Sequence, residues 1–512
     1  MSSHPLCLSF PQEPRAGIVS PPPRSRPPEL RRWRTLAGVT VLLACGQPVT
    51  AQEAADGAGG ADYSTAEVPV GLDSFALEPI AEGAAALPGE AAVEIEGASQ
   101  AELRKVIPEA FLFRVATGGV YDSNIYQAEF EAEDDLILQA QLGVTMQSEA
   151  GGNSGFSFDY NATGFMFLDH SDLDAINHVV GLTGRLSLPQ TQLGISANYQ
   201  KISAGDQALL TRAVAGASNP DPAAATANQR SQEADREAGQ FSGRDILALS
   251  VTGSRDLAPK TVMNTAVNYA GTFYEEETYQ SSGDVSGRIG LGYKVTGKST
   301  LGFAGVLGHL DNEDNPSQNY QNGLMTASYD ATGKLVFSGD AGLEWRQYDD
   351  PGNGPADSNP GASDTNRFVF GLRGAYQFRP RTALRLAASR NTDGSALLGQ
   401  SIDRTTLALG MDQQMGRRFA LGLSAGYELP EYYSTGEAGS NPSGSATPGA
   451  DRSGDSAPDS SGSYWYGRAT LNYVPTVRTS IGLFYEYRNE EAGAGGFTYE
   501  ANRLGVQCAV SF

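Results

Sequence analysis

The chain ends RLGVQCAVSF, Arg503 to Phe512, and every second side chain there is apolar: Leu504, Val506, Cys508, Val510 and Phe512. Gly505, Gln507, Ala509 and Ser511 lie between them. Successive side chains of a strand point to opposite faces, so this segment reads as a strand with one apolar and one wettable face. The same period recurs from Phe111 onward. DDLILQAQLGVTMQ sets Leu136, Leu138, Ala140, Leu142, Val144 and Met146 against Ile137, Gln139, Gln141, Gly143, Thr145 and Gln147. KLVFSGDAGLEWRQY sets Leu335, Phe337, Ala341, Leu343 and Trp345 against Ser338, Asp340, Glu344 and Arg346. A period of two held for roughly ten to fourteen residues predicts strands about twice the usual length.

A soluble sandwich also alternates, but its strands are shorter, whereas tilted strands that cross a bilayer need about nine to eleven residues. Connection lengths point the same way. About eighteen strands are expected, starting near 111, 135, 156, 178, 192, 244, 261, 281, 300, 320, 334, 366, 383, 404, 418, 463, 479 and 499. Even-numbered strands lead into tight turns such as LPQT, LAPKT, TGKST, RPRT and MGRR, and all of these but LPQT are basic. Odd-numbered strands lead into longer, mostly acidic segments, of which Ala204–Gly243 and Glu431–Gly462 are the longest. This asymmetry predicts an all-β fold: a transmembrane antiparallel up-and-down barrel with short periplasmic turns and long extracellular loops. The expected location is the outer membrane of a Gram-negative-type bacterium, with outer-membrane lipid and lipopolysaccharide as surroundings. Composition agrees, with 61 Gly, 22 Tyr and 20 Phe but only 19% charged residues, a strand-and-turn mixture. The net charge of −23 argues against nucleic acid, whose phosphates need clustered Lys and Arg.

Three segments are expected. Residues 1–51 hold an over-extended start and a signal peptide: Arg31, Arg32 and Arg34, the apolar TLAGVTVLLACG, then Pro48 and a cleavage site at Ala51. Leu42-Leu43-Ala44-Cys45 offers a competing lipoprotein-type site. Residues 52–108 are Ala, Gly, Glu and Pro with few large apolar side chains, and read as a flexible acidic periplasmic arm. Residues 109–512 are the barrel.

By strand register the lumen receives Arg185, Asp284, Arg288, Asp340, Glu344, Arg346, Arg367, Arg373, Glu486 and Arg488, with Asp159, Asn161, Asn198, Asn264, Asn268 and Glu428. Such side chains either pair across strands, Asp340 with Arg346 or Arg367 for example, or set the selectivity of a water-filled pore. Tyr274, Tyr279, Trp345, Tyr348, Tyr432, Tyr433, Tyr464, Trp465 and Tyr466 collect near strand ends and predict interfacial aromatic girdles.

Catalytic chemistry finds no support. His170 precedes Ser171, but no G-x-S-x-G elbow surrounds them. DNEDN at Asp311 lacks the spacing of a calcium loop, and no phosphate-binding, dinucleotide or zinc motif is present. No enzyme activity, metal or cofactor is expected.

Two resemblances add to this reading. The last strand, with Val506, Val510 and a terminal Phe512, resembles the C-terminal signature of bacterial outer-membrane barrels, which implies recognition by the barrel assembly machinery. GGVYDSNIYQ, with Tyr121, Asp122, Ser123, Asn124 and Ile125, resembles the β-barrel porin-2 family just after its first strand, although Val120 stands where that family often has glycine. The resemblance implies an outer-membrane barrel in a polysaccharide context. Physically, Asp122-Ser123-Asn124 favours an Asx turn at the strand end. Two functions follow: a porin-like passive channel associated with exopolysaccharide export, or a non-conducting structural or partner-binding barrel.

Overall fold

The computed structural model describes residues 111–148, 154–203, 223, 226–227, 230, 234, 242–276, 279–313, 317–332, 334–348, 365–394, 400–434, 460–476, 478–491 and 498–512. The expected leader, acidic arm and most of the Glu431–Gly462 loop lie outside the described residues.

Eighteen long strands follow one another: β1 Phe111–Asp122, β2 Asp135–Gln147, β3 Ser154–Phe167, β4 Ala175–Leu188, β5 Thr191–Ile202 and β6 Arg244–Ala258. Next come β7 Thr261–Tyr274, β8 Ser282–Thr296, β9 Ser299–Asn312, β10 Gln318–Asp330, β11 Leu335–Tyr348 and β12 Thr365–Arg379. The last are β13 Thr382–Gly394, β14 Gln400–Met415, β15 Phe419–Ser434, β16 Ser463–Thr476, β17 Thr479–Glu491 and β18 Tyr499–Ser511. Ser460–Ser461 extends the edge of β16 against β15. Each strand pairs antiparallel with the next, and β18 pairs with β1 from Arg114↔Ser511 to Asp122↔Arg503. The sheet is therefore a closed barrel without a free edge. The seam is sealed to its end, where Phe113 and Phe512 exchange backbone hydrogen bonds of 3.2 and 2.8 Å.

The tight turns sit where expected. Pro189, Pro259 and Pro380 each open a two-residue turn, where a fixed φ helps and no N–H is needed. Gly416 takes φ +74° in the turn from β14 to β15, a conformation other residues adopt only with strain.

Burial is inverted relative to a soluble protein. On β2 the exposed residues are Leu136, Leu138, Ala140 and Leu142, while Asp135, Ile137, Gln139 and Gln141 are buried. Ile195, Val251, Ile289, Phe303, Leu307 and Met325 are all more than half exposed on outward positions. Water would not tolerate apolar exposure on this scale. A closed barrel of this kind, apolar outside and polar within, with loops long on one side only, is an outer-membrane barrel. Arg468 obeys this register: it faces inward and pairs with Glu486 at 3.4 Å.

The aromatic girdle is a partial correction. Trp345 and Trp465 face outward and are exposed, but Tyr432 and Tyr464 are buried on inward positions. Closeness to a strand end does not by itself select the outer face; that also requires the right parity along the strand.

Parity on the wall is testable. Ile289 lies mid-strand on the outer face of β8, 57% exposed. Ile289→Arg is expected to destabilise the barrel by about 2–4 kcal/mol. Asn264→Arg, on an inward position of β7, should change stability by no more than about 0.5 kcal/mol. Urea unfolding in lipid vesicles measures both.

Candidate functional site, the barrel lumen

The inward face is not uniformly wet. Along β6, inward residues run from Arg244 and Ile246 at 0% exposure, Ala248 at 1% and Ser250 at 4% to half-buried Thr252 and Ser254 and exposed Asp256. The extracellular half is therefore covered in this sector, and the periplasmic half is open.

Part of the cover comes from the long β5–β6 connection. Ala223, Thr226, Ala227, Arg230 and Ala234 have helical backbone, and Ala223, Ala227, Arg230 and Ala234 are spaced to share one helix face. All four are buried, at 1, 0, 7 and 3% exposure. Ala223 and Ala227 pack with Ile202, Ile246 and Ala248, the inward residues of β5 and β6. The Ala223 N–H donates to Ser196 Oγ at 3.2 Å. Alanines let the backbone approach the wall closely. Arg230 brings its charge into the fields of Asp284 on β8 and Tyr269 on β7. The sequence hint was the alanine spacing within AAATANQR, masked by polar neighbours.

Six of the ten lumen candidates come together on β8–β12. Arg288 pairs with Asp340 at 3.4 Å. Arg346 donates to Glu344 at 2.8 Å, to Gln318 at 2.7 Å and to the Thr392 carbonyl at 2.9 Å. Arg367 pairs with Asp403 and stacks on Tyr433 at 4.3 Å. Tyr320 lies across Gly308, where any Cβ would clash with its ring, and donates to Asp284 at 3.0 Å. The expected pairing of Asp340 with Arg346 or Arg367 is thus replaced: Arg288 on β8 takes Asp340 on β11 across two intervening strands, because inward side chains reach across the barrel's curvature. Arg373, on β12, and Arg185, at the periplasmic end of β4, are exposed. Glu486 and Arg488 form a separate group on β17 with Arg468.

Register alone missed the extracellular end of β13 and β14. The β12–β13 ladder stops at Phe370↔Arg390, yet β13 continues to Gly394 paired only with β14. Beyond that point alternation is lost. Asn391, Thr392, Asp393, Ser401, Ile402, Asp403 and Arg404 are all buried, so both faces of this hairpin end are covered. Arg346 and Arg367 hold it from the β11–β12 side, and Arg390 bridges Asp403 and Glu431 at 3.5 and 2.7 Å.

The Tyr121–Ile125 motif makes a turn, and the turn is anchored to the seam. Asp122 Oδ1 accepts the Asn124 N–H at 3.0 Å, an Asx turn, and Oδ2 accepts Arg503 Nε at 2.7 Å. Ser123 N–H donates to the Asn502 carbonyl at 3.0 Å, and Asn502 N–H donates to Ser123 Oγ at 2.8 Å. Asn124 Nδ2 donates to the carbonyls of Ala128 and Glu500 at 2.8 and 3.0 Å. Tyr121 faces outward and Ile125 is fully buried with Ile137, Phe165 and Phe167. The last residue of β1 and the two that follow it therefore bind β18 through Asp122, Ser123 and Asn124.

His170, between β3 and β4, places Nδ1 2.9 Å from Asp135 and Nε2 2.7 Å from Glu133, tying two extracellular loops together. Both imidazole nitrogens face carboxylates, so the ring has no free nitrogen to serve Ser171. These hydrogen bonds raise the His170 pKa above its ordinary value. A raised pKa means the contact contributes fully below the unfolded value, about 6.5, and is lost as pH rises through the folded value. The backbone N–H groups of Leu168 and Asp169 also bind Asp135. Protection of the 168–170 amides relative to intrinsic base-catalysed exchange should fall across that upper window, and His170→Gln should remove that fall.

No known protein family matches the sequence, and no curated relative does. Several solved structures align along most of the chain. The outer membrane protein OpdK of Pseudomonas aeruginosa is 13% identical over 79% of this chain and 99% of its own, with a TM-score of 0.36. OccK2 (OpdF) of the same organism is 12% identical over 78% and 98%, with a TM-score of 0.39. OccAB3 of Acinetobacter baumannii is 10% identical over 78% and 99%, with a TM-score of 0.36.

Proposed function

We propose that the chain is a porin-like passive channel of the outer membrane, narrowed from its extracellular side. The observation that carries this reading is the in-folded β5–β6 segment, with Ala223 and Ala227 against the wall and Arg230 in the field of Asp284. A wall of mixed charge, much of it paired, suits polar solutes of low net charge better than a strict ion filter. The resemblance of Tyr121–Ile125 to the β-barrel porin-2 family supports a polysaccharide context and names oligosaccharides as the solutes to try.

Residues 52–512, refolded into a planar bilayer, should give small, stable conductance steps with weak ion selectivity. A neutral oligosaccharide on one side should produce transient blocks. Stable steps without blocks would remove the saccharide association and leave the channel. A second reading, a non-conducting structural barrel, is favoured by the burial of Arg244, Arg346, Arg404, Gln141 and Gln200 to below 2% exposure. Silence with confirmed insertion would select it.

A further inference from the structure

Five strands around the seam share one inward row in which side-chain amides alternate with glycine. Asn472 on β16 lies opposite Gly482 on β17, and Gly482 opposite Gln507 on β18. Gln507 lies opposite Gly118 on β1, and Gly118 opposite Gln139 on β2. Two strand spacings separate Gln507 from Gln139, about 9.5 Å between their Cα atoms. Their exposures are 6 and 2%. Both amide atoms of Gln139, Nε2 of Gln507, and Oε1 of Gln141, the next inward residue of β2, are buried without a hydrogen-bond partner among the described residues. One inward step toward the extracellular side, the row is apolar: Phe484, Gly505, Val120 and Ile137. Phe484 packs with Val120 and lies over Gly505, where any Cβ would clash with its ring. Ile125 covers the β2–β3 end of this strip, in one cluster with Ile137 and Phe165. At the other end Asn472 and Gly482 are only half-buried, so the strip opens there.

A buried amide without a partner is costly, and native structures keep few of them. Here four such atoms face one strip of wall. A primary amide both donates and accepts, as a hydroxyl does, whereas a carboxylate only accepts and an ammonium only donates. Neither row holds a charged side chain, and Arg468, which stacks on Phe484 at 5.0 Å, is paired with Glu486. The chemistry of the strip therefore suits a neutral guest. An amide row beside an apolar row matches a solute with hydroxyls on its edges and C–H groups on its faces. We propose that the strip is a binding site for a neutral saccharide, its hydroxyls bonded to Gln507 and Gln139 and its C–H face on Val120 and Ile137. This rests on the reading that the lumen admits such solutes, and it gives them a place on β1, β2 and β18.

Equilibrium NMR of refolded residues 52–512 in a sugar-free detergent tests it, with maltopentaose as probe and trialanine as control. Maltopentaose should shift the side-chain amide signals of Gln139 and Gln507. Gln139→Leu with Gln507→Leu should weaken its binding about tenfold, read by saturation transfer to the sugar. These leucines remove polar atoms that lack partners, so the barrel should still fold. Gln507→Met alone, with a loss of about fivefold, serves if it does not. Unshifted amides, binding unchanged in the variant that folds, or equal binding of trialanine would overturn the proposal, the last by assigning the strip to peptides. Conductance is read separately. Binding without conduction would sink the channel and keep the site, whereas conduction without binding would sink the site alone.

Discussion

Deleting residues 204–239 should raise single-channel conductance several-fold while leaving the barrel folded. The wall does not need the segment: β5 and β6 pair directly from Thr191↔Arg255 to Ile202↔Arg244. What the segment supplies is cover for Ile202, Ile246 and Ala248 and a positive charge near Asp284. A point change should reproduce the effect. Ala227 is fully buried against the wall, so Ala227→Arg forces a long cation into a space that accepts a methyl group. The segment should then leave the wall. Bilayer recording of both variants checks this; unchanged conductance in both would mean that the narrowing lies elsewhere, the extracellular end of β13–β14 being the next place to cut.

The second large effect is expected at the seam. Asp122 and Arg503 are both 1% exposed and bonded to each other. Asp122→Ala leaves a buried guanidinium without its carboxylate and dissolves the Asx turn, a loss of about 3–5 kcal/mol for a broken buried pair. The first and last strands close the barrel, so the loss falls on closure itself. Folded yield, read as the fraction resisting unfolding in cold detergent, should collapse. Asp122→Leu with Arg503→Leu, which removes both charges, should recover much of it. Asn124→Ala should be milder, because it removes side-chain hydrogen bonds but no charge pair. A collapse no deeper for Asp122→Ala than for Asn124→Ala would assign the motif to local turn formation alone.

Alternation was legible because its cause is local. A strand's two faces are set by geometry one residue at a time, so strand starts, turn sides and inward positions such as Arg288 and Glu344 could be read from the chain. The Asx turn at Asp122 was legible for the same reason, since its bond spans two residues. Partners were not. Arg346 reaches Thr392, Arg367 reaches Asp403 and Arg503 reaches Asp122 across long stretches of sequence, and the distances depend on the curvature of the closed sheet.

Short-range pattern was enough for the barrel, for a count of about eighteen strands and for which side chains face inward, because a two-residue period and turn chemistry act over a few residues. Closure was needed to place Ala223 and Ala227 against the inner wall, to part β13 from β12 beyond Arg390, and to bring Asp122 and Asn124 onto β18. Each of these depends on the interior shape of the closed barrel. That shape exists only once β18 has met β1.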